Sequence, residues 1–198
     1  MESQILRVNS LVLLLTMLPA GSPAIRVGRA QEAALGRQPL KVGAEAPDFK
    51  LPALGRETVQ LSELLKAGPT VVVVLRGYPG YQCPACSRQA ATFFRQAEEF
   101  KSRGASVVLV YPGPASRLDD RAQEFLGELD LPEPFIMALD PDFEFTNAWG
   151  LRWNEPNETA YPSTFIVDQR RRIQYRKVSQ THGDRSEVKE VLAALAAE

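Results

Sequence analysis

The chain is poor in the residues that bind metal ions. Its 198 residues contain two cysteines and one histidine, His182, which lies almost a hundred positions after the cysteines. A structural zinc site takes four ligands, so this inventory argues against a metal centre. Excess charge of either sign is also lacking, because 23 basic residues oppose 24 acidic ones. A nucleic-acid-binding protein is therefore not expected, since such proteins carry basic patches.

Hydrophobic runs long enough to cross a membrane are lacking as well. The apolar stretch 8–20 follows Arg7 and is short for a bilayer span, and small residues follow it up to Ala30. This pattern is typical of a secretory signal peptide. We therefore predict a signal peptide over residues 1–30. An uncleaved membrane anchor is the alternative, because Glu2 weakens the positive charge of the N-terminus.

The predicted signal peptide implies a location and a domain organisation. Export would place the protein in the periplasm or outside the cell, where a disulfide can persist, and an uncleaved anchor would tether it to the membrane. Residues 31–43 are polar and weakly patterned, and we predict that they form a linker. Residues 44–198 then form one globular domain, as the chain length and a hydrophobic content of 44% suggest.

Short apolar strands alternate with helical patterns through this domain. The segment Val71–Leu75 is too apolar for a half-exposed strand, so it is expected inside a sheet that is covered on both faces. Further strands are predicted at Ser106–Tyr111, Phe135–Leu139, Thr164–Asp168 and Ile173–Val178, after a hairpin around Leu54–Arg56. Helices are predicted over 62–66 with Ser62 as the cap, from the cysteines to near Gly104, over 117–129, over 141–149 and from Ser186. This order predicts an α/β fold with a mixed central β-sheet and helices on both faces.

Both cysteines lie in one motif, Cys83-Pro84-Ala85-Cys86, between a buried strand and a predicted helix. The unpaired amides and the dipole at a helix start stabilise a thiolate. Pro84 suits the first helical turn, because its missing N–H would have had no partner there. Two thiols at this spacing predict a redox-active pair that can close into a disulfide. A purely structural disulfide is the alternative, but so short a loop removes little unfolded-state entropy.

From about Val42 to the C-terminus, the chain resembles the alkyl hydroperoxide reductase/thiol-specific antioxidant group, the peroxiredoxin-like branch of the thioredoxin superfamily. The resemblance lies in the opening Ala46-Pro47-Asp48-Phe49, in the leucine and serine after the hairpin, and in the strand Thr164-Phe165-Ile166-Val167-Asp168. It implies a thioredoxin-like fold and a peroxiredoxin-like redoxin with antioxidant activity.

The cysteine motif departs from that of a peroxidase. Peroxiredoxins carry Pro-x-x-x-Thr-x-x-Cys, and Pro79, Cys83 and Cys86 fall on that spacing. By this resemblance Cys86 matches the peroxidatic cysteine, and Cys83 replaces the threonine. The family also places an arginine where this chain has Pro162. The hydroxyl and the cation that would activate peroxide are therefore missing at these positions.

The same departures match thioredoxins and their periplasmic relatives. Tyr161-Pro162-Ser163 resembles the loop whose cis-proline faces the dithiol and holds the substrate chain beside the sulfur. The resemblance therefore implies a substrate loop with a cis bond before Pro162. The alternative is a trans proline that opens an edge strand.

These features favour a thiol–disulfide oxidoreductase in which Cys83 attacks a substrate disulfide and Cys86 resolves the mixed disulfide. We expect Pro84, Arg76 and Arg88 to tune the thiolate, although each arginine could equally be a surface charge. The expected partners are a thiol or disulfide protein substrate and an external thiol reductant or oxidant, with no metal and no cofactor beyond the cysteine pair. Two alternatives stay open: a thiol-dependent peroxidase with Cys86 peroxidatic and Cys83 resolving, and a non-catalytic redox-sensing binding domain.

Aromatic residues surround the motif in the sequence. Trp149, Trp153, Tyr78 and Tyr81 could line a substrate groove, but such residues more often serve packing. His182 is interpreted as a turn residue, because the sequence assigns it no carboxylate partner.

Overall fold

The computed structural model of the protein describes residues 38–127 and 131–196, so the predicted signal peptide and most of the predicted linker lie outside the described residues. The strands are β1 Lys50–Ala53, β2 Arg56–Gln60, β3 Thr70–Val74, β4 Ser106–Gly113, β5 Phe135–Pro141, β6 Ser163–Val167 and β7 Ile173–Val178. The helices are α1 Leu61–Leu64, α2 Pro84–Phe94, α3 Ala97–Ser102, α4 Leu118–Leu126, α5 Glu144–Ala148 and α6 Val188–Leu195. Within the described ranges no helix is long and apolar enough to cross a membrane.

The seven strands form one mixed sheet in the order β2-β1-β5-β4-β3-β6-β7. Strands β3, β4 and β5 are parallel, whereas β1, β6 and β7 pair antiparallel with their neighbours. The prediction of an α/β fold with a mixed central sheet is thus confirmed. Leu40 packs against the domain, and the Gly43 amide donates to the Ile173 carbonyl, so the end of the predicted linker already lies on the fold.

Alternate residues of β3 pack into two different cores. Val71 and Val73 face the layer that holds both cysteines and the helices α2, α3 and α6. Val72 and Val74 face the layer that holds the N-terminal hairpin, α1 and α5. All four side chains are buried, and each buried valine contributes about 1.5–3 kcal/mol relative to an exposed one. This explains why the strand reads as a continuous apolar run rather than an alternating one.

The carboxyl end of β3 leads directly into the cysteine motif. Val74 pairs with Val110 of β4 and with Ser163 of β6, so three strands meet at this edge. Gly77 follows with a φ of 70°, and a Cβ at this position would lie 1.8 Å from the Pro112 carbonyl oxygen. Only glycine fits such an approach. The loop is therefore held tightly against β4 before the chain turns into α2.

Three predicted helix boundaries were wrong. The helix after the cysteines is two helices that break at residues 95–96, and Phe93 and Phe100 stack across this break with ring centroids 5.7 Å apart. The cap of α1 is Gln60 rather than Ser62, because the carboxylate of Asp48 accepts the Ser62 amide proton at 2.9 Å. Helix α5 spans only 144–148, since the buried Asp140 carboxylate accepts the first free amides from outside the helix.

Candidate active site

Both cysteines are free thiols at the amino end of α2. Cys83 is the N-cap residue with an extended backbone, and Pro84 follows at the first helical position. Cys83 is 4% exposed and Cys86 is 1% exposed, so both sulfurs are shielded from bulk water. The helix start thus places two thiols at the carboxyl edge of the central strands, where open α/β sheets bind their ligands.

A backbone amide donates a hydrogen bond to each of the two sulfurs. The Cys86 N–H donates to the Sγ of Cys83 at 3.4 Å, as an N-cap side chain accepts from the third helical amide. The N–H of Arg76 donates to the Sγ of Cys86 at 3.3 Å. The Sγ of Cys83 therefore accepts a hydrogen bond from a backbone amide at the start of α2. The Sγ of Cys86 lies against the loop that follows β3.

Arg185 supplies a positive charge that contacts both sulfurs. Its Nη2 lies 3.4 Å from the Sγ of Cys86 and 3.7 Å from that of Cys83. Its Nη1 donates to Gln89 Oε1, and its Nε donates to the His182 carbonyl oxygen. The guanidinium is thus fixed at three nitrogens. The cation that the sequence lacked at position 162 is therefore supplied by the segment before α6.

The two thiols have opposite acidities. The hydrogen bond from the Cys86 side chain, the Cys86 backbone amide and the charge of Arg185 lower the pKa of Cys83 to about 5, although burial opposes this shift. The pKa of Cys86 is raised, because its side chain donates to Cys83 and because it is buried. The arrangement stabilises one thiolate, on Cys83, with the neutral Cys86 as its hydrogen-bond donor.

Of the two arginines expected to tune the thiolate, neither places its guanidinium on the sulfurs. The buried Arg76 side chain pairs with Glu158 at 2.6 Å and donates to the hydroxyl of Tyr81 and to the Asn157 carbonyl oxygen. It contacts Cys86 only through its backbone amide. The Arg88 side chain is exposed and has no ion pair or hydrogen bond within the described residues. The Glu158 carboxylate, 82 positions away in the chain, neutralises the charge of Arg76. The sequence gives no sign of this ion pair.

His182 has a carboxylate partner, contrary to the sequence prediction. Its Nε2 lies 2.9 Å from Oε1 of Glu158, whose other oxygen binds Arg76. The Trp153 ring lies against His182 and stacks on Tyr161, with centroids 5.3 and 4.7 Å apart. The segment that carries Arg185 is therefore fastened to the fold beside the cysteines.

The four aromatic residues singled out in the sequence divide between core and surface. Trp149 is fully buried against Phe49, Phe145 and Phe165, in the core layer opposite the cysteines, so it does not line a groove beside them. Tyr78 is half-buried under the guanidinium of Arg121, and Tyr81 is exposed. Trp153 and Tyr81 are thus the aromatic side chains that remain near the surface of the site.

The segment Tyr161–Ser163 opens β6 at the same sheet edge as the cysteine loop. The one cis peptide bond within the described ranges is Glu133–Pro134, so the bond before Pro162 is trans and the expected cis isomer was wrong. The alternative was right about the trans bond but wrong about the edge strand, because β6 lies between β3 and β7. Hydrogen bonds from the Tyr161 amide to Leu151 and from the Ser179 amide to Pro162 hold the backbone on both sides of this bond.

Comparison with known proteins gives a consistent set of similarities. A family model described as Redoxin matches residues 41–194. Peroxiredoxin Q, chloroplastic, of Oryza sativa subsp. japonica is 30% identical over 135 residues, which are 67% of this chain and 57% of the relative. Peroxiredoxin Bcp of Bacillus subtilis is 28% identical over 146 residues, which are 70% and 87% of the two chains. The matched range of the family model includes both cysteines and Arg185.

A solved structure of similar fold is the peroxidoxin BcpB from Mycobacterium tuberculosis. It superposes with a TM-score of 0.63 at 24% identity, covering 80% of this chain and 97% of that one. The thioredoxin-like architecture expected from the resemblance is therefore confirmed.

Proposed function

Since the chain belongs to the redoxin family, we propose that it is a thiol–disulfide oxidoreductase that exchanges its Cys83–Cys86 dithiol or disulfide with an external substrate. Its peroxiredoxin relatives establish an antioxidant, thiol-dependent enzyme of the peroxidase or oxidoreductase type. One observation carries the finer assignment: Cys83 is the N-cap of α2, and its Sγ accepts the Cys86 amide proton and lies within reach of Arg185. This environment lowers the pKa of Cys83, whereas the pKa of Cys86 is raised.

The geometry supports a two-step exchange. The thiolate of Cys83 attacks one sulfur of a substrate disulfide, the substrate S–S bond breaks, and one thiolate leaves. Cys86 then loses its proton and attacks the Sγ of Cys83, which releases the second substrate thiolate and forms the Cys83–Cys86 disulfide. Two electrons pass to the substrate, and the departing thiolates take up protons. In the reverse direction, an external thiol reduces the protein disulfide by the same steps.

Arg185 serves both steps in this scheme. Its Nη2 lies within hydrogen-bond distance of each sulfur, so it stabilises negative charge on Cys83 before attack and on Cys86 during resolution. The exchange needs an external thiol or disulfide partner, and the thiol dependence of the peroxiredoxin relatives supports such a partner.

A second candidate is the thiol-dependent peroxidase that the relatives favour. In that reaction Cys86 would attack peroxide and become a sulfenic acid, and Cys83 would condense with it. The contact between Arg185 and the Sγ of Cys86 favours this candidate. Against it stand the raised pKa of Cys86 and the cysteine at the family's threonine position.

The test compares two reactions of one purified protein. Reduction of insulin disulfides and consumption of hydrogen peroxide are measured with the same thiol reductant, for wild type, Cys83→Ser and Cys86→Ser. Insulin reduction that is lost in Cys83→Ser, with slow peroxide turnover, supports the proposal. Fast peroxide consumption that needs Cys86 would identify the peroxidase, and the absence of both activities would favour a redox sensor.

We assign a substrate-contacting role to Tyr161, Pro162 and Ser163. The pairing of Ser163 with Val74 puts this segment at the edge where the cysteine loop begins. Tyr161→Ala should raise the KM for insulin while leaving cysteine alkylation unchanged.

We also propose that the protein works in an oxidising compartment, on the basis of the signal-peptide pattern in residues 1–30. Sequencing the N-terminus of protein recovered from cells tests this, since cleavage near Ala30 would support export.

A further inference from the structure

A cavity of about 470 Å³ opens beside the cysteine pair, between α2 and the segment that leads into α6. We call it the basic cavity. It is lined from α2 by Ala85, Arg88, Gln89 and Thr92, and from the other side by residues 182–183 and 185–189. Small-molecule sites usually have volumes of about 300–1,000 Å³. The basic cavity therefore suits a small ligand of a few residues rather than a folded protein surface.

The cavity carries an excess of positive charge. Neither Arg88 nor Arg185 has a carboxylate partner within the described part of the chain. The charge of Lys189 is offset by Glu187, 2.8 Å away, and His182 faces Glu158. The guanidinium of Arg88 thus remains unpaired on one side of a small cavity, beside Arg185, whose nitrogens already donate to Gln89, to the His182 carbonyl oxygen and to both sulfurs. A free guanidinium recognises a carboxylate through paired N–H donors.

The cavity also adjoins the reacting sulfurs. Ala85 belongs to the cysteine motif itself, and Arg185 reaches both sulfurs through Nη2 while lining the cavity. Neither cysteine lines the cavity itself, so a ligand bound here lies beside Ala85 and Arg185, and the Arg185 guanidinium separates it from the sulfurs. Ala85 and Val188 add apolar surface for the aliphatic part of such a ligand.

We propose that the basic cavity binds a small, carboxylate-bearing thiol compound and that its disulfide form is an exchange substrate of Cys83. This inference rests on the proposed thiol–disulfide exchange. Cys83 attacks one sulfur of the ligand disulfide, that S–S bond breaks, and a carboxylate-bearing thiolate leaves. Cys86 then resolves the mixed disulfide and releases the second thiolate. The dithiol loses two electrons and two protons, and two ligand thiols form.

The experiment measures the rate at which three disulfides oxidise the reduced protein. Glutathione disulfide is net negative, hydroxyethyl disulfide is uncharged and cystamine is positively charged. Arg88→Gln removes one cavity charge without touching a sulfur. Arg95→Gln is the matched control, because Arg95 is an exposed residue at the end of the same helix and does not line the basic cavity. All rates are measured at low and at high ionic strength.

We expect Arg88→Gln to slow oxidation by glutathione disulfide about fivefold at low ionic strength, the factor for losing one close charge at a protein surface. Hydroxyethyl disulfide should react at an unchanged rate, and Arg95→Gln should alter each rate by less than about twofold because screening weakens distant charges. S-methylglutathione, which has no reactive thiol, should protect Cys83 from alkylation in wild type and less so in Arg88→Gln.

The failure of this inference and the failure of the proposed function give different results. If hydroxyethyl disulfide oxidises the cysteine pair but Arg88→Gln and Arg95→Gln behave alike towards glutathione disulfide, the basic cavity does not select carboxylates. If no disulfide oxidises the reduced pair, the exchange function itself is wrong, and the inference falls with it.

Discussion

Arg185 donates through Nη2 to the Sγ of Cys86 at 3.4 Å, although the two residues lie 99 positions apart in the chain. The same nitrogen reaches the Sγ of Cys83 at 3.7 Å. One guanidinium therefore acts on both members of the pair, and it comes from a different element than the cysteines. This contact and the amide at the start of α2 both stabilise a thiolate on Cys83, although the sulfur is buried.

The reactivity of Cys83 should persist to low pH. Because its pKa is lowered to about 5, the alkylation rate of the reduced protein should reach half its plateau near pH 5. Cys83→Ser should slow alkylation at pH 7 more than about tenfold, since Cys86 is only 1% exposed and its burial still raises its pKa when Cys83 is absent. Mass spectrometry of the alkylated peptide identifies the cysteine. A midpoint near the ordinary value of 9.0, or labelling of Cys86 first, would contradict this assignment.

The same shift makes the stability of the reduced protein depend on pH. The pKa of Cys83 is lower in the folded state than its ordinary 9.0, so its contribution is complete above about pH 9 and is lost as pH falls through about 5. The raised pKa of Cys86 opposes stability above pH 9. Urea unfolding between pH 5 and 9 should therefore show a rise in stability for reduced wild type that Cys83→Ser lacks.

Removing the charge of Arg185 should weaken the thiolate. Arg185→Gln should raise the alkylation midpoint of Cys83 by about one unit, as expected for loss of one nearby opposite charge. The hydrogen bonds from Cys86 lower the pKa of Cys83 more than the Arg185 charge does and stay in place, so the midpoint should remain below 9.0. Arg95→Gln, which removes a charge remote from the sulfurs, should leave the midpoint unchanged. Equal midpoints in wild type and Arg185→Gln would show that the guanidinium has no effect on the thiolate.

The order of attack can be read from trapped intermediates. Cys86→Ser removes the resolving thiol, so a substrate disulfide should accumulate as a stable adduct on Cys83. Cys83→Ser should trap at least about tenfold less, because the remaining thiol is only 1% exposed and its burial still raises its pKa after the hydrogen bond to Cys83 is lost. Non-reducing gels and peptide mass spectrometry measure both adducts. Stable adducts found on Cys86 alone would reverse the roles of the two cysteines.

The parts of this site that follow a local pattern could be predicted from the sequence, and the parts that depend on distant contacts could not. The run Val71–Leu75 indicates a buried strand by composition, and the spacing of Cys83 and Cys86 indicates a dithiol. Arg185 lies in an irregular polar segment with no periodicity, so nothing in the sequence connects it with the cysteines. The Glu158 carboxylate likewise joins two loops through side chains alone. The break at residues 95–96 carries neither glycine nor proline, and the apolar spacing continues across it.

The ion pair of Arg76 and Glu158 should contribute strongly to stability because it is largely buried. Their side chains are 3% and 11% exposed, so Glu158→Gln leaves a buried guanidinium without its counter-charge. Loss of one partner of a buried pair costs about 3–5 kcal/mol. Urea unfolding should therefore show a loss of about 3 kcal/mol for Glu158→Gln. Glu63→Gln is the matched control, because the exposed pair of Glu63 and Lys66 should contribute less than about 1 kcal/mol.

A second substitution separates the missing charge from other effects of Glu158→Gln. Arg76→Met in the Glu158→Gln background removes the unpaired cation and fills the space with an apolar side chain. It should recover at least half of the lost stability, since a well-packed apolar replacement of a buried ion pair is often neutral or stabilising. The Arg76 backbone amide that donates to Cys86 stays in the double variant, so the alkylation midpoint of Cys83 should stay near the wild-type value. A double variant no more stable than Glu158→Gln would show that the loop carrying Glu158 is held by its contact with His182 and not by the charge of Arg76.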